Sequence, residues 1–185
     1  MSNLISVDPG LNHAGIAYFE DGVLKCAWTI NPKKQTKDAA GWSTIAGLVE
    51  EAVCDWGEFH LYQLAYEMPQ FIDGWSNKVD VNAVLQVAGA AGAIVQALSQ
   101  FTESGTSPIA VRPSEWTKGR PKKANHLRMW GRLSVDEIVQ LSDTLKIDPN
   151  VLYSCIKHGD EADLEHALDA VCIGLKVLDR FERER

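Results

Sequence analysis

Acidic residues directly follow two apolar segments of the chain, and each acid precedes a turn that contains proline. Asp8 follows LISV and precedes Pro9 and Gly10, while Glu67 follows LYQLAY and stands two residues before Pro69. One such acid alone is as readily a solvated residue at the boundary of a strand. Because ligand-binding groups gather at strand ends in α/β sheets, two acids in the same context indicate a shared site.

A second pair of polar residues, His166 and Asp169, falls on one face of the predicted C-terminal helix. Polar groups beside a buried face need a partner, and a metal ion is one such partner. The alternative for His166 is a core histidine bonded to a backbone carbonyl. Asp163, one turn earlier, is a candidate for orienting the imidazole. The helix should begin near Asp160, with a buried stripe of Leu164, Leu168, Val171, Leu175 and Leu178.

The hydrophobic pattern predicts that the chain opens with an antiparallel β-meander. The segments LISV, AGIAYF and VLKCAWTI are separated by the turn sequences DPGLNH and EDG. From Trp42 the period becomes helical, and the strand LYQLAYE follows. An alanine-rich helix over residues 80–101 and a short strand over residues 108–111 come next.

Capping residues mark further helices in the second half of the chain. Ser134 and Glu137 have the form of a capping box that opens a helix through about Leu145. Asp148 and Pro149 suggest the cap and first turn of another helix. The resulting order of strands and helices predicts one α/β domain over residues 1–185.

Composition restricts where the chain works. No apolar run approaches the length of a membrane span, and the first residues lack the features of a signal peptide, so we expect a cytoplasmic protein without a membrane. The cysteines show no zinc-ligand or redox spacing. We expect reduced, buried thiols at Cys26, Cys54, Cys155 and Cys172.

The net charge of −7 hides a strongly basic segment between Arg112 and Arg132. Seven basic residues stand there against Glu115 alone, which gives +6 and leaves −13 for the remainder. This asymmetry suits a protein that binds phosphates with one segment and cations with another. The alternative is a solvated surface loop. The expected phosphate contacts are Lys118, Arg120, Lys122 and Lys123, with Arg112 at the end of a strand.

Three of these segments together resemble a known family. The string ISVDPGLNHAGIAYFEDG resembles the opening of the bacterial RuvC-type Holliday junction resolvases, LAYEMPQF matches the family's central-strand glutamate, and HALDAVCIGL matches its C-terminal helix motif. Some members have aspartate and others histidine at the position of His166. Residues 115–159 depart from the family as a longer, basic and helical insertion, which is similar to phage-encoded relatives.

The resemblance implies an α/β, RNase H-like fold, in which a central mixed five-stranded sheet begins with the meander and is flanked by helices. It also implies a metal-dependent endonuclease that resolves four-way DNA junctions in a bacterial cell or a phage-infected host. A homodimer through the helix at residues 80–101 would cut two strands symmetrically. In the loop QFIDGWSNK, Phe71 and Trp75 are candidates to wedge between bases, although packing under the loop is as good an explanation.

Phosphodiester hydrolysis explains the residue types. It needs an activated water and a stabilised leaving group, which two Mg²⁺ ions roughly 4 Å apart can supply, and Mn²⁺ should substitute. Carboxylates suit such hard cations, so we expect Asp8 to bridge the ions, with Glu67 on one and Asp169 on the other. His166 either ligates a metal or accepts a proton from the water, and the sequence leaves both roles open.

Three other functions would explain parts of this sequence. An actin-like ATP-binding protein would explain DPGLNHAG, but it needs a second domain and a second phosphate loop for which this chain has no room. A junction-binding module without catalysis would not need Asp8, Glu67 and Asp169 together. An RNase H-like nuclease for flaps, forks or RNA:DNA hybrids would use the same site and is the main alternative.

Overall fold

A computed structural model of the chain describes residues 3–32, 39–54, 62–69, 81–160 and 164–180. Within these residues the chain forms a five-stranded sheet and seven α-helices. The strands are β1 (Asn3–Asp8), β2 (Ala14–Glu20), β3 (Val23–Ile30), β4 (Tyr62–Glu67) and β5 (Ile109–Val111). The helices are α1 (Ala39–Cys54), α2 (Val81–Leu98), α3 (Pro113–Thr117), α4 (Lys122–Trp130), α5 (Val135–Leu145), α6 (Pro149–His158) and α7 (Glu165–Val177).

The sheet has the strand order β3-β2-β1-β4-β5. The first three strands form the predicted antiparallel meander, and β4 and β5 run parallel to β1. This mixed five-stranded sheet confirms the predicted α/β architecture. In the parallel register Val7 is opposite Tyr66, so the next residues, Asp8 and Glu67, end their strands at the same edge.

Side-chain alternation along the strands directs both acids to one face of the sheet. Ile5 and Val7 belong to the core cluster beneath α1 and α2, whereas Leu4 belongs to the cluster beneath α7. Asp8 therefore shares the α7 face with Leu4. Ala65 also belongs to the α7 cluster, and Glu67, two residues later, projects to the same side.

Two glycines allow α7 to lie directly on the first two strands. A Cβ atom on Gly15 would come within 1.8 Å of the carbonyl oxygen of His166, and one on Gly174 would come within 2.1 Å of the ring of Phe19. The hydroxyl of Ser6 donates a hydrogen bond of 2.7 Å to the carbonyl of Ala170. Close packing therefore fixes α7 against β1, and it determines how near the polar residues of α7 lie to the ends of the strands.

The start of α7 differs from the sequence prediction. The helix begins at Glu165 with Leu164 as its N-cap, not near Asp160. Asp160 instead closes the preceding helix, because its backbone N–H and that of Gly159 both bind the carbonyl of Cys155. Gly159 adopts a left-handed conformation there, which ends α6.

The predicted caps of the two preceding helices are confirmed. Ser134 and Glu137 form a reciprocal capping box at the start of α5, and the Asp148 carboxylate accepts from the first backbone N–H groups of α6. Between β5 and α5 the basic segment folds into α3 and α4. These residues therefore form helices and not a loop, and most of the basic side chains among them are exposed to solvent.

Arg180, just beyond α7, is anchored to α5 and not free in solvent. Its guanidinium pairs with both oxygens of the Glu137 carboxylate at 2.6 and 2.7 Å. It also donates to the carbonyls of Gly22 and Arg132. The same carboxylate accepts the backbone N–H of Leu24 at 2.8 Å. This ion pair, in which the carboxylate is buried and the guanidinium partly exposed, connects α5, the end of α7 and the β2–β3 hairpin.

The alanine-rich helix begins at Val81 among the described residues and continues from α2 into a short 3-10 turn, Ser99–Phe101. It packs on α1, where Trp42 lies against Gly89. Residues Val81–Phe101 are long and apolar enough to cross a membrane, which corrects the expectation that no segment approaches that length. One such helix is weak support for a membrane location, because core helices pass the same test.

The cysteines are free, as expected, but they are not uniformly buried. Cys172 is buried in α7, Cys26 and Cys155 are partly exposed, and Cys54 is exposed at the end of α1. The expectation of buried thiols is therefore correct only for Cys172.

Candidate active site

The carboxylate of Asp8 and the imidazole of His166 form a direct pair. Nδ1 of His166 lies 2.6 Å from Oδ2 of Asp8, which joins the end of β1 to the first turn of α7. The ring of His13, in the turn after β1, stacks on His166 with ring centroids 5.5 Å apart. His13 belongs to the turn sequence DPGLNH, and this stacking adds it to the surroundings of the site.

Burial and pairing shift the pKa values of this pair. Burial raises the pKa of Asp8, and the negative charge of Asp169 adds to the rise, while the hydrogen bond from His166 opposes it. Burial lowers the pKa of His166, but the hydrogen bond and charge of Asp8 outweigh burial and hold it above its ordinary value. The pair therefore keeps a proton between the two side chains more readily than either group would in water.

Glu67 extends this cluster of acids from the neighbouring strand. Burial, together with the charges of Asp8 and Asp169, raises the pKa of Glu67 to about 8. The indole N–H of Trp116 donates to its Oε2 at 3.2 Å and works against that rise. Trp116 is itself buried in the core, so this tryptophan packs in the core and orients an acid at the same time.

The carboxylate of Asp169 is held from two sides. Nε2 of His126 lies 2.8 Å from Oδ1, and Nζ of Lys122 lies 2.8 Å from Oδ2. Lys122 also contacts the carboxylate of Glu165. The structure thus brings Asp8, Glu67, His166 and Asp169 together and adds residues from α4 to them.

Lys122 is the largest difference from the expected arrangement. The sequence analysis assigned it to phosphate contact, whereas its ammonium group lies on the acids of the site. Burial lowers the pKa of Lys122, but the charge and hydrogen bond of Asp169 outweigh it and raise the pKa above the ordinary range of lysine. A helical spacing of four residues between Lys122 and His126 places both on one face of α4, and that spacing is the signal that could have identified them.

The other basic residues expected to contact DNA are exposed. Arg112 is the exposed N-cap of α3, and Lys118 is its C-cap in a left-handed conformation. Arg120 and Lys123 are exposed on either side of the start of α4. The remaining predicted residues, Phe71, Trp75 and Asp163, fall outside the described parts of the chain.

The chemistry of the donor set fits a hard divalent cation. The charges of Asp8 and Asp169 both raise the pKa of Glu67, and the charge of Asp169 also raises that of Asp8. Clustered carboxylates of this kind are stabilised by Mg²⁺ or Mn²⁺. Within the described residues, no group of three or more histidine, cysteine or acidic side chains is already arranged around a metal position. Bonds to His166, Lys122 and His126 occupy oxygens of Asp8 and Asp169 instead.

Comparison with solved structures identifies the fold. RuvC of T. thermophilus in complex with Holliday junction substrate superposes with a TM-score of 0.56 and 16% sequence identity, covering 95% of this chain and 92% of that one. This likeness confirms the RNase H-like fold. Another Thermus thermophilus RuvC structure gives a TM-score of 0.48 with 20% identity and coverage of 94% and 92%. The yeast mitochondrial Holliday junction resolvase gives 0.47 with 12% identity and coverage of 97% and 80%.

Comparisons at the level of sequence give no match. No protein-family model matches the chain, and no curated protein matches it. The likeness to solved structures is therefore one of backbone fold.

Proposed function

We propose that this chain is a metal-dependent endonuclease that resolves four-way DNA junctions. The observation that carries the proposal is the cluster of Asp8, Glu67, His166 and Asp169 on one face of an RNase H-like sheet. A structural neighbour with the same fold, the RuvC of T. thermophilus, is solved with a Holliday junction substrate. Fold and acidic cluster support the same chemistry, the hydrolysis of a phosphodiester bond in branched DNA.

Asp8, Glu67 and Asp169 would hold the divalent cations, two Mg²⁺ ions in this proposal, with Mn²⁺ as a substitute. Bound cations would supply an activated water and charge stabilisation for the leaving oxygen. The chain's own contribution is a set of buried acids whose charges are held close together at the ends of β1, β4 and within α7. The hydrogen bond from Trp116 holds one oxygen of the Glu67 carboxylate.

His166 contributes a second kind of group to the same centre. Its Nδ1 bonds to Asp8, which leaves Nε2 as the ring nitrogen for a ligand bond or for a proton from the attacking water. The stacked ring of His13 limits rotation of the imidazole. Asp8 therefore orients His166, whichever of the two roles the histidine performs.

Exposed basic residues beside the acids would hold the DNA backbone. Arg120 and Lys123 flank the start of α4, and Lys118 ends α3. Contacts of this kind position the nucleic acid without reading its sequence. Phe71 and Trp75 remain the proposed wedge at the branch point, and Arg112 a further phosphate contact.

A homodimer would supply the two active sites that symmetric cleavage needs. The proposed interface is α2, where Val81 and Leu85 are apolar and exposed, at 53% and 62% of their full surface. Small residues elsewhere on α2 allow close approach of a second helix, although α1 already covers the surface at Gly89. We further propose that the dimer acts in the cytoplasm.

The decisive experiment compares DNA substrates. Purified protein is incubated with Mg²⁺ and a labelled four-way junction, a flap, a fork, a linear duplex and an RNA:DNA hybrid, with metal-free samples alongside. We expect paired, symmetric cuts in the junction, only with metal, and little cleavage of the duplex. Preferential cleavage of flaps or hybrids would indicate a nuclease with a different substrate. Binding of the junction without cleavage in Mg²⁺ or Mn²⁺ would contradict the proposal that the chain is an enzyme.

A further inference from the structure

Both oxygens of the Asp169 carboxylate already have partners from α4. His126 holds Oδ1 and Lys122 holds Oδ2, each at 2.8 Å. The carboxylate is itself 2% exposed, so solvent offers no alternative partners. A cation that approaches Oδ2 therefore meets the ammonium group of Lys122, which repels it and competes with it for this oxygen.

The two partners differ in their freedom to leave. The His126 side chain is fully buried in the interior face of α4, and its removal from Asp169 would require α4 to unpack from α7. The Lys122 side chain is 53% exposed and ends in a long flexible stem that can turn into solvent without moving the backbone. Oδ2 is thus the exchangeable position and Oδ1 the fixed one.

The location of Lys122 favours its departure towards DNA. Lys122 stands in the first turn of α4, where the positive end of the helix disfavours a cation. Its bonds to Asp169 and Glu165 offset that repulsion in the absence of DNA. Arg120 and Lys123, the exposed neighbours, would bring phosphates within reach of its ammonium group, and a phosphate is a strong competing anion.

We propose that Lys122 occupies the cation position on Asp169 until a DNA phosphate withdraws it, while His126 is a positioning residue that keeps Asp169 directed at that position. The inference rests on the proposed nuclease function for the identity of the withdrawing ligand. It goes beyond that function because it makes metal binding conditional on DNA. By linkage, DNA should tighten metal binding by the same factor by which metal tightens DNA binding.

The test of Lys122 measures Mn²⁺ affinity without DNA. Mn²⁺ is titrated into the full chain and free Mn²⁺ is read by electron paramagnetic resonance. Lys122→Met should bind Mn²⁺ at least about tenfold more tightly than wild type, since it removes a competing charge-assisted bond. Lys157→Met, which removes an exposed charge at the end of α6, is the matched control and should stay within about twofold. Equal affinity of wild type and Lys122→Met, or no binding by either, would overturn the proposal.

His126 is tested with two variants that differ in one hydrogen bond. His126→Gln retains a side-chain N–H donor for Oδ1 and should keep Mn²⁺ affinity within a few fold of wild type. His126→Leu fills similar space without a donor and should lose at least about tenfold, as expected for a group that supports a metal ligand. A positioning role requires this difference between the two variants. Equal losses in both variants, or no loss in either, would reject that role, and melting temperatures show whether unfolding contributes.

The DNA step is tested with a four-way junction that carries phosphorothioate linkages at the branch, which keep the negative charge and resist hydrolysis. Adding it should tighten Mn²⁺ binding by wild type more than by Lys122→Met, because the variant has no lysine to withdraw. An equal gain in both proteins would show that DNA does not act through Lys122. These readouts do not use cleavage, so a chain that shows the Lys122 effect but cuts no junction would reject the proposed function and leave this inference standing.

Discussion

Nδ1 of His166 lies 2.6 Å from Oδ2 of Asp8, although 158 positions of the chain separate the two residues. The contact exists because α7 packs on β1 and β2 without intervening side chains at Gly15 and Gly174. It places an imidazole, whose pKa the bond to Asp8 raises above its ordinary value, beside a buried acid. The predictions below follow from this packing and from the charges that it gathers.

Replacing Asp8 with Asn should reduce junction cleavage to below about one hundredth of wild type, because it removes a carboxylate from the site that would hold the cations. Binding to the junction should stay within a few fold, since none of the basic residues changes. Cleavage is measured in saturating Mg²⁺ and binding by gel shift. Asp136→Asn, an exposed position on α5, is the control for loss of one negative charge. Turnover within tenfold of wild type would remove Asp8 from the site.

Two substitutions of His166 separate a functional role from simple packing. His166→Asp should retain measurable cleavage, because a carboxylate also binds Mg²⁺. His166→Ala should lose at least roughly a hundredfold in rate, with little change in melting temperature. A core histidine would give the opposite pattern, in which alanine is tolerated in catalysis and lowers stability. Rates and melting temperatures of both variants are measured together.

The contact between Gly174 and Phe19 predicts a steric effect on stability. Gly174→Ala places a methyl group against the Phe19 ring and should cost about 1–3 kcal/mol in the free energy of unfolding. Adding Phe19→Leu should make the double variant less destabilised than the two single effects predict together. Gly47→Ala on α1, where a Cβ meets nothing within 4 Å, is the control and should be neutral or stabilising. Additive losses in denaturant unfolding would disprove the steric contact.

The ion pair of Glu137 and Arg180 predicts how stability depends on pH. Burial raises the pKa of Glu137, but the Arg180 bonds and backbone N–H groups outweigh it and lower the pKa to about 2, from 4.5. The folded state therefore gains stability above pH 4.5 and loses it as the pH falls towards 2, in total about 3 kcal/mol. Unfolding of wild type is compared with Arg180→Met between pH 2 and 7. The variant should be less stable at pH 7 and should lose less stability on acidification, and parallel curves would contradict the assignment.

Arg120 and Lys123 should contribute to DNA binding through charge alone. Replacing both with Ala should weaken binding to every DNA sequence and reduce the slope of log affinity against log salt by up to about two units. Lys122 is left unchanged in this test, because it lies on the acids of the site and its replacement would also change metal binding. Binding is measured at several salt concentrations for the junction and for a duplex. An unchanged slope would show that these residues do not meet phosphates.

Local sequence patterns predicted the sheet and most helices, because strands and helix starts depend on residues that are close together in the sequence. Alternation of apolar and polar positions predicted β1 to β3, and the capping residues Ser134 and Asp148 predicted the starts of α5 and α6. The start of α7 was placed too early. Asp160 has the type of a helix cap, but the end of α6 captures its backbone N–H, which a reading of residue type alone does not show.

The acids of the site could be predicted from the sequence, because two of them end apolar strands and the third lies at helical spacing from His166. Their partners could not, since the bond from His126 to Asp169 depends on how α4 packs against α7. Charge patterning indicated a basic segment but not the direction of each side chain. The sequence therefore predicted a phosphate contact for Lys122, whereas its ammonium group binds the buried carboxylate of Asp169.

The position of α7 on the first strands also bears on translation. Asp8 and Glu67 leave the ribosome long before His126, His166 and Asp169, so an unfinished chain has two acids without the residues that complete their surroundings. Folding that proceeds from the N-terminus can form the β-meander early. The active site is complete only after α7 has been synthesised and has packed on β1 and β2. Under the proposed function, nascent chains and prematurely terminated chains that lack α7 cannot cut DNA. Nuclease activity is then confined to chains whose synthesis has continued past α7.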